Sequence, residues 1–554
     1  MPPSKPASQR ARKVPAMQVA PGREHRPLGE REMDLYRIPN EMWIAVFEAM
    51  GNPSDLFKVI LTCKHFYALA IRVLYRDMQW TDPFLFASNS RFWEHQDQSM
   101  FEVPRSLKIS LSLMNPNPYG RYDPSAIVVE PDGTYNLAMN NISPGMMHLF
   151  HHSLNGRFEP KRVNYYASPA MYDAITTSVS SFTMLRELIF HNSDLPYSIF
   201  TAIKSLRCLR HLSIQNSILP LVRVAPDPTL SELPITELTL WSNKGDSDMM
   251  LHSNHTYILY LCTAKHLRTL RIDWNSVTGR FLSLKHPAHQ VELPTSLVDV
   301  TLRFPSTKIW PAEGEETRYP IDPLGAFLSN SPGIKRLTVI NRRVAFDFPL
   351  TVLPNLDYYI GPFSTVLSIL TNRPVRHLEI TDFDRKLDDF VHILPIVAEI
   401  KPTLQTLCVF MRGWDDEILF ALTTLFSDLR KIRIKYETGY PSEQTLLSLG
   451  AQFLYRFPRL ETLHIYQAQP PAPPPSLFEN DRAAGPSRPR SRGPQADPRD
   501  QEVKELILPW KRHCPYLREV QVVEDSVWRR AFDGDEWCKR PLQSDPADKY
   551  NVLH

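Results

Sequence analysis

No apolar run in the chain approaches the roughly 18 residues that a membrane helix needs, and its N-terminus has no apolar signal-peptide core. The six cysteines lie far apart with no Cys-x-x-Cys pair, which argues against a disulfide scaffold and a clustered zinc site. The 63 basic and 60 acidic residues leave a net charge of only +3, which does not favour a dedicated nucleic-acid binder. These shortages predict a cytoplasmic or nuclear protein that binds neither membrane nor nucleic acid.

Catalytic motifs are missing as well. The chain has no Gly-rich phosphate loop, no Gly-x-Ser-x-Gly and no His-Glu-x-x-His. The adjacent pair His151-His152 comes nearest to a metal site, but neighbouring side chains point in different directions. Acidic groups at residues 382–384 and 415–417 are typical of solvated loops. We therefore predict a protein that is not an enzyme and that holds no cofactor and no metal.

Glycine is scarce and proline is abundant, with 19 glycines against 50 prolines. Residues 1–34 combine prolines with basic side chains and few large apolar groups, which predicts a disordered tail. Residues 467–501 form a second proline-rich stretch. Because proline lacks the backbone N–H, this stretch is predicted to be a disordered insert.

Residues 35–80 carry three short helical patterns. Ile38-Pro39 opens the first, with Asn40 as the predicted cap, and Gly51-Asn52-Pro53 ends it. Ser54 is the predicted cap of the second helix, and the third is predicted to end near Leu74. Three short helices bury too little surface to fold well alone, so the segment is expected to need a partner.

This segment resembles the F-box. The matching residues are Ile38-Pro39, Glu41-Met42-Trp43, Val46-Phe47, Met50, Asp55-Leu56 and Cys63-Lys64-x-Phe66. The resemblance implies binding to a Skp-type adaptor and, through it, to a cullin, with Cys63 as a small buried hydrophobic residue. The adaptor-binding residues that it implies are Ile38, Pro39, Met42, Val46, Phe47, Leu56 and Val59.

A six-residue phrase of alternating apolar positions recurs from residue 185 onward. It predicts short strands with one buried face. A weaker match lies near Leu356. The middle apolar positions are Leu188, Leu212, Leu238, Leu270, Val300, Leu337, Leu378, Leu407, Ile432, Leu463 and Val520.

Most spacings between these positions are close to the roughly 20–29 residues of leucine-rich repeats. Apolar helical stretches precede several strands, at Tyr257–Leu261, Phe390–Ile400, Leu446–Phe457 and Val503–Cys514. One strand and one helix per unit predict an α/β protein in which the three-helix F-box is followed by a leucine-rich-repeat-like curved solenoid. The repeats lack the asparagine of the commonest pattern and resemble the irregular leucine-rich repeats behind the F-box of many fungal adaptors.

The predicted solenoid covers residues 185–523, after a connector at 81–184 and before a C-terminal cap or tail at 524–554. Within the connector, Ser106–Leu113 is a predicted strand, residues 114–145 a long loop, and Met146–His152 and Tyr172–Phe182 helices. Trp528 and Trp537 could cover the last repeat, because a terminal apolar face needs a lid.

Residues that alternate with the apolar positions are predicted to line the concave face and to bind a protein substrate. Trp241 is predicted to be an exposed anchor. Three positive charges on one strand, at 431–435, favour an acidic or phosphorylated segment of the substrate. The candidate substrate-binding residues are Trp241, Arg271, Arg303, Arg336, Lys431, Arg433, Lys435, His464 and Tyr466.

Three functions are compatible with this sequence. The first is the substrate receptor of an SCF-type ubiquitin ligase, which the F-box resemblance implies. The second is an F-box protein with a scaffold or trafficking role that engages no cullin. The third is a plain leucine-rich scaffold in which the N-terminal helices only cap the solenoid.

Overall fold

A computed structural model of the chain divides into two compact units, Met1–Leu74 and Tyr75–His554. The structure describes residues 38–81, 86, 92–93, 95–111, 127–129, 135–137, 169–193, 195–217, 219, 228–241, 256–283, 293–304, 321–340, 349–381, 387–401, 403–468, 498–523, 526–530 and 536–541. The predicted basic tail, the predicted helix at Met146–His152 and most of the predicted insert at 467–501 lie outside these residues.

The first unit contains three helices. They are α1 (Asn40–Ala49), α2 (Pro53–Ile60) and α3 (Lys64–Leu74). Phe47 is buried at their centre. The ring of Phe66 lies 4.7 Å from that of Trp43 and 5.4 Å from that of Phe47, measured between centroids. Aromatic contacts of this kind therefore supply much of the small core.

The starts of the first two helices differ from the prediction. Asn40 lies inside α1 and does not cap it, since Pro39 takes the cap position without a side-chain hydrogen bond. The cap of α2 is Asn52, whose side chain accepts the N–H of Ser54 at 3.0 Å. Pro53 fixes the backbone at the first helical position, so the residue before it becomes the cap in place of Ser54.

The second unit is built around a long sheet. Its strands, together with a separate two-stranded pair (β3 and β4), are β1 (Asp77–Trp80), β2 (Ser106–Ile109), β3 (Ile127–Val129), β4 (Tyr135–Leu137), β5 (Glu187–His191), β6 (His211–Gln215), β7 (Glu237–Trp241), β8 (Thr269–Asp273), β9 (Asp299–Arg303), β10 (Arg336–Ile340), β11 (Tyr358–Gly361), β12 (His377–Ile380), β13 (Thr406–Gly413), β14 (Lys431–Thr438), β15 (Thr462–Gln467), β16 (Glu519–Val523), β17 (Ser526–Arg529) and β18 (Cys538–Pro541). Apart from β3 and β4, they form one 16-stranded sheet in chain order.

The pairs from β1 to β16 in this sheet are parallel. Parallel neighbours need a crossover that returns the chain to the start of the next strand, and helices serve this purpose in most repeats. The helices of the second unit are α4 (Gln98–Phe101), α5 (Pro169–Ser181), α6 (Ser198–Ser205), α7 (Thr256–Leu259), α8 (Ser276–Leu282), α9 (Ile321–Ser329), α10 (Val366–Leu370), α11 (Leu387–Ile400), α12 (Glu417–Leu425), α13 (Glu443–Gln452), α14 (Pro498–Ile507) and α15 (Trp510–His513).

The middle apolar positions of the repeated phrase were predicted to be buried strand residues, and the structure confirms that they form one column across the sheet. We call this column the apolar ladder. The register pairs Leu188 with Leu212 and continues through every middle position of the phrase to Val520. The weak phrase near Leu356 is a true strand, because Tyr359 of β11 occupies the same column. One strand and one turn of the solenoid per phrase is the arrangement expected of leucine-rich-repeat-like proteins.

Other expectations are met in part. Helices α7, α11, α13 and α14 with α15 fall on the predicted helical stretches, and α5 covers most of Tyr172–Phe182. Within the segment predicted to be a loop, β3 and β4 instead form an antiparallel pair. The sheet also begins at Asp77, inside the range predicted for the helical domain, and this first strand pairs with β2.

The C-terminal end of the sheet is closed by antiparallel strands. β17 pairs with β16, and β18 pairs with β17. Trp528 and Trp537 are both buried there. Buried Arg530 donates from Nε to the carbonyl of Leu517 at 2.7 Å and lies 5.7 Å from the Trp537 ring. The two tryptophans therefore cover the end of the apolar core, as such an end requires.

Candidate functional site

An apolar surface lies on the first unit. Ile38, Met42 and Val46 are exposed. Met42 and Val46 lie one helical turn apart on α1, and Ile38 lies just before its start. Met42 is 59% exposed and Val46 is 49% exposed. Several exposed apolar groups on one small unit indicate an interaction surface.

The other predicted adaptor-binding residues divide between surface and core. Pro39 is exposed and Val59 is half-buried, whereas Phe47 and Leu56 belong to the core. Cys63 is exposed rather than buried as predicted. Its sulfur accepts the backbone N–H of Phe66 at 3.4 Å, so it caps the start of α3.

Sequence reasoning missed three further exposed apolar residues of this unit. Phe57 and Leu61 are 55% and 70% exposed, and Tyr67 of α3 is 47% exposed. The four-residue interval between Phe57 and Leu61 was a signal for a second stripe. We call the exposed set Ile38, Met42, Val46, Phe57, Leu61 and Tyr67 the apolar patch.

The second candidate surface is the open face of the sheet, formed by the side chains that alternate with the apolar ladder. Parallel register aligns these side chains into columns that run across the strands. One column contains Arg336, Tyr358, His377, Thr406 and Lys431 in adjacent strands. The predicted substrate-binding residues thus share one face, but they differ widely in exposure.

Trp241 is only 3% exposed, so the prediction of an exposed anchor is wrong. The guanidinium of Arg303 lies 5.1 Å from its ring centroid. Arg303 also donates to both carboxylate oxygens of Asp273, from Nε at 2.6 Å and from Nη2 at 3.0 Å. This bidentate pair lies over the indole, and it ties Arg303 to the structure of the sheet.

The middle of the open face carries a stacked polar row. Arg336 is exposed, and its guanidinium lies 4.4 Å from the ring centroid of Tyr358. Tyr358 stacks on His377 with centroids 5.4 Å apart, and burial raises the pKa of the Tyr358 phenol well above its usual range. Arg271 lies 4.0 Å from Glu237, so its charge is partly balanced.

Strand β14 carries the predicted basic cluster. Lys431, Arg433 and Lys435 are half-buried and alternate along the strand, which places all three on the open face. The ammonium of Lys435 lies 5.4 Å from the ring of Phe410 and 5.9 Å from the ring of Tyr466. Among the described residues, neither lysine forms an ion pair. Their positive charge therefore remains available to an anionic partner.

His464 and Tyr466, on the neighbouring strand, are buried rather than accessible. His464 Nε2 lies 2.8 Å from Oε1 of Glu519, and the other carboxylate oxygen, Oε2, accepts from Arg529 Nε at 2.7 Å. Burial lowers the pKa of His464, against the effect of this hydrogen bond, and the charge of Arg433 lowers it further. Burial alone would raise the pKa of Glu519, but His464 and Arg529 outweigh it and hold that pKa at about 2.

Within the part of the chain that the structure describes, no group of three His, Cys, Asp or Glu side chains is placed to hold a metal. Asp416 is engaged in structure, because it accepts from Trp414 Nε1 and from Thr445 Oγ1, each at 2.6 Å. His151-His152 and residues 382–384 lie outside the described residues. No described helix is long and apolar enough to cross a membrane.

No protein-family profile matches the chain, and no curated protein matches it. Among solved structures it is similar to an internalin (inlF) from Listeria monocytogenes str. 4b F2365, at 12% identity over 58% of this chain and 82% of that chain, with a TM-score of 0.27. It is also similar to TLR13 in the TLR13–ssRNA13 complex, at 13% identity over 67% of this chain and 41% of that chain, with a TM-score of 0.29. The leucine-rich-repeat-like architecture is defined by the register of the sheet itself.

Proposed function

We propose that the chain is the substrate-recognition subunit of an SCF-type ubiquitin ligase. The observation that carries this proposal is the apolar patch, because it lies on a three-helix unit whose sequence resembles the F-box. A Skp-type adaptor would cover this patch and connect the chain to a cullin. The chain itself would then perform no chemistry, and would act by raising the effective concentration of a bound substrate near the catalytic subunits.

The energetics of the patch suit a protein partner. Burying a fully exposed side chain such as Leu or Met contributes about 1.5–3 kcal/mol. The members of the patch keep roughly half of their surface or more in water, Tyr67 and Ile38 somewhat less. Covering the set would therefore favour association by several kcal/mol before the entropic cost of binding is subtracted.

The open face is the proposed substrate surface, with β14 at its basic centre. Lys431 and Lys435 have no counter-charge among the described residues, and Arg336 is exposed on the same face. An acidic or phosphorylated segment of a protein would relieve the repulsion among these charges. Trp241, His464 and Tyr466 belong to the support of this face and are not proposed as contacts.

Adaptor binding by purified proteins tests the first half of the proposal. Replacing Ile38, Met42 and Val46 together by alanine should raise the Kd for a Skp-type adaptor by about 100-fold or more, because each anchor contributes about 1 kcal/mol or more. These positions are chosen because they are exposed, so the core of the unit should survive. The matched control replaces the exposed residues Tyr440, Leu447 and Leu508 by alanine and should leave the Kd unchanged. Equal binding by the two triple variants would refute the proposed adaptor site.

Charge reversal on β14 tests the second half. Replacing Lys431, Arg433 and Lys435 by glutamate should reduce capture of proteins that accumulate on proteasome inhibition, and should spare adaptor binding. A control with the same charge change replaces Arg280, Lys511 and Arg512, which lie on helices α8 and α15 and not on the sheet. If the control reduces capture as strongly, recognition depends on overall charge and the assignment to β14 fails.

A further inference from the structure

In the parallel part of the sheet, the residues directly before the strands line up in a row along the N-terminal ends of the strands. In the first four strands of the sheet every such residue is an arginine: Arg76, Arg105, Arg186 and Arg210. The backbone N–H of each of the last three donates to the carbonyl of the preceding arginine at 2.8 Å. The four residues are therefore immediate neighbours in space, and we call them the arginine row.

Arg105, the second member of the row, is held in place by backbone carbonyls. Arg105 is half-buried and donates from Nη1 to the carbonyls of Glu102 at 2.6 Å and Met184 at 3.3 Å. Burial lowers the pKa of Arg105, and the charges of Arg186 and Arg76 lower it further. The backbone hydrogen bonds between consecutive members place them on adjacent strands, about 4.8 Å apart.

Arg186 and Arg210 are exposed at the centre and end of the row. Arg210 donates to the carbonyl of Pro234 at 2.9 Å. Among the described residues, none of Arg105, Arg186 and Arg210 forms an ion pair. The adjacent carboxylate of Glu187 is already bound by His211 at 2.8 Å.

Near the C-terminal end of the sheet, arginines at the equivalent position directly before a strand have their charges neutralised by acidic neighbours. There Arg376 pairs with Asp357 at 2.6 Å, and Arg430 pairs with Glu461 at 3.5 Å. An acidic residue thus precedes the neighbouring strand in each pair. Strands lie about 4.8 Å apart, and like charges directly opposite each other are destabilising. Within the part of the chain that the structure describes, Arg105, Arg186 and Arg210 carry that cost without forming an ion pair.

We propose that the arginine row binds an acidic segment of a partner protein. Arginine matches carboxylates with two parallel hydrogen bonds. The row is about 15 Å long, the length of four to five extended residues, whose alternate side chains would face it. This surface goes beyond the proposed function, since it lies on the first strands of the sheet and β14 lies near the last.

A protein segment suits the row better than a nucleic acid. Asp77, Glu102 and Glu187 lie beside the arginines in sequence, so a partner must place its charges selectively. A peptide can put neutral residues opposite those carboxylates, whereas a phosphate backbone carries a charge at every nucleotide. Tyr75, the aromatic residue next to the row, stacks on Phe92 at 4.6 Å and is engaged there rather than free to stack on a base.

The test uses the full chain and a fluorescein-labelled peptide of alternating glutamate and serine, followed by fluorescence anisotropy at low ionic strength. Arg186→Glu with Arg210→Glu should weaken binding at least about tenfold, and added salt should weaken binding to the natural chain. The matched control, Lys335→Glu with Arg518→Glu, changes the equivalent position directly before a strand and the same net charge outside the row, and should leave the Kd within about twofold. Arg186→Gln with Arg210→Gln should also weaken binding, and thermal unfolding should show that all variants are folded.

Four results would overturn the proposal. The first is equal weakening by the two double reversals, and the second is no peptide binding by the natural chain. The third is a labelled oligothymidylate that binds more tightly than the peptide and depends on Arg186 and Arg210, which would assign the row to nucleic acid. The fourth is loss of peptide binding only in the Lys431, Arg433 and Lys435 variant, which would show that the acidic peptide binds at β14. Adaptor binding is independent of all these outcomes, so failure here leaves the proposed ligase function standing.

Discussion

Replacing Trp241 by alanine distinguishes a core residue from a surface anchor. The side chain is 3% exposed, and Arg303 lies over its ring while holding Asp273 with two hydrogen bonds. Removing the indole leaves a cavity under a buried ion pair. Truncating a buried tryptophan costs about 3–5 kcal/mol, and the lost contact with the guanidinium is part of that cost.

The loss of stability in Trp241→Ala should be largest in the repeats around Trp241, because each repeat contacts only its neighbours. A decrease of about 3–5 kcal/mol in the free energy of opening speeds amide hydrogen exchange by about 100-fold or more in the affected strands. We expect this acceleration in β8 and β9, next to Trp241, with much less at β14 and β15. Mass spectrometry of peptic fragments after deuterium labelling measures it directly.

Two control variants separate the loss of the buried indole from the general effect of removing an aromatic side chain. Trp241→Phe keeps an aromatic ring under Arg303 and should lose much less stability than the alanine variant. Tyr440→Ala removes an aromatic side chain that is 80% exposed, and surface changes of this kind usually stay within about 0.5 kcal/mol. Unchanged exchange in Trp241→Ala would refute the buried position and restore Trp241 as a surface anchor.

Two further predictions concern stability. Arg373 is 1% exposed and donates to the carbonyls of three separate residues within 2.8 Å, so Arg373→Met should lower the free energy of unfolding by about 3 kcal/mol or more, measured by urea denaturation. The pKa of His464 is depressed in the folded chain, so neutral His464 stabilises the fold above its unfolded pKa of about 6.5, and this contribution is lost as pH falls through the folded pKa. Glu519 stays ionised in that window, so the loss of melting temperature between about pH 7.5 and pH 5.5 should be smaller in His464→Gln than in the natural chain. Identical pH profiles would show that His464 titrates as it does when unfolded.

The apolar ladder could be predicted because alternation and spacing are properties of the sequence alone. The eleven strong phrases fix which side chains face the core, and their middle positions fall in one column of the sheet. Strand β1 was missed because its four residues, Asp77–Trp80, carry only two apolar positions and follow a helix directly. These four residues form a strand because they pair with β2, and the sequence of the four residues alone does not reveal that pairing.

Burial on the open face could not be predicted from periodicity. Alternation correctly placed Trp241 opposite the apolar ladder, but Arg303, which covers it, is 62 residues later and two strands away. The same holds for His464, whose partner Glu519 follows the proline-rich segment. Exposure on this face depends on which long side chains meet across strands, and only the register brings them together.

The turn that follows two of the early strands was also missed. Asn192 and Asn216 adopt the left-handed conformation, at φ of 48° and 50°, which asparagine tolerates better than most residues. The buried hydroxyl of Ser193 then accepts the N–H of Leu111 at 3.1 Å, and that of Ser217 accepts the N–H of Ser193 at 3.3 Å. The repeated Asn-Ser pair, 24 residues apart, was the available signal. Serine here satisfies buried backbone groups, in repeats that lack the asparagine of the commonest pattern.

The most direct test of the proposed function is affinity purification of the full chain from cells treated with a proteasome inhibitor. The comparison is the variant with alanine at Ile38, Met42 and Val46, since a deletion that reached Asp77 would remove the first strand of the sheet. We predict that a Skp-type adaptor and a cullin purify with the natural chain and that both are lost from the variant. Recovery of the adaptor without a cullin would contradict the ligase assignment and favour a scaffold or trafficking role. Absence of the adaptor from the natural chain would contradict the proposed F-box itself.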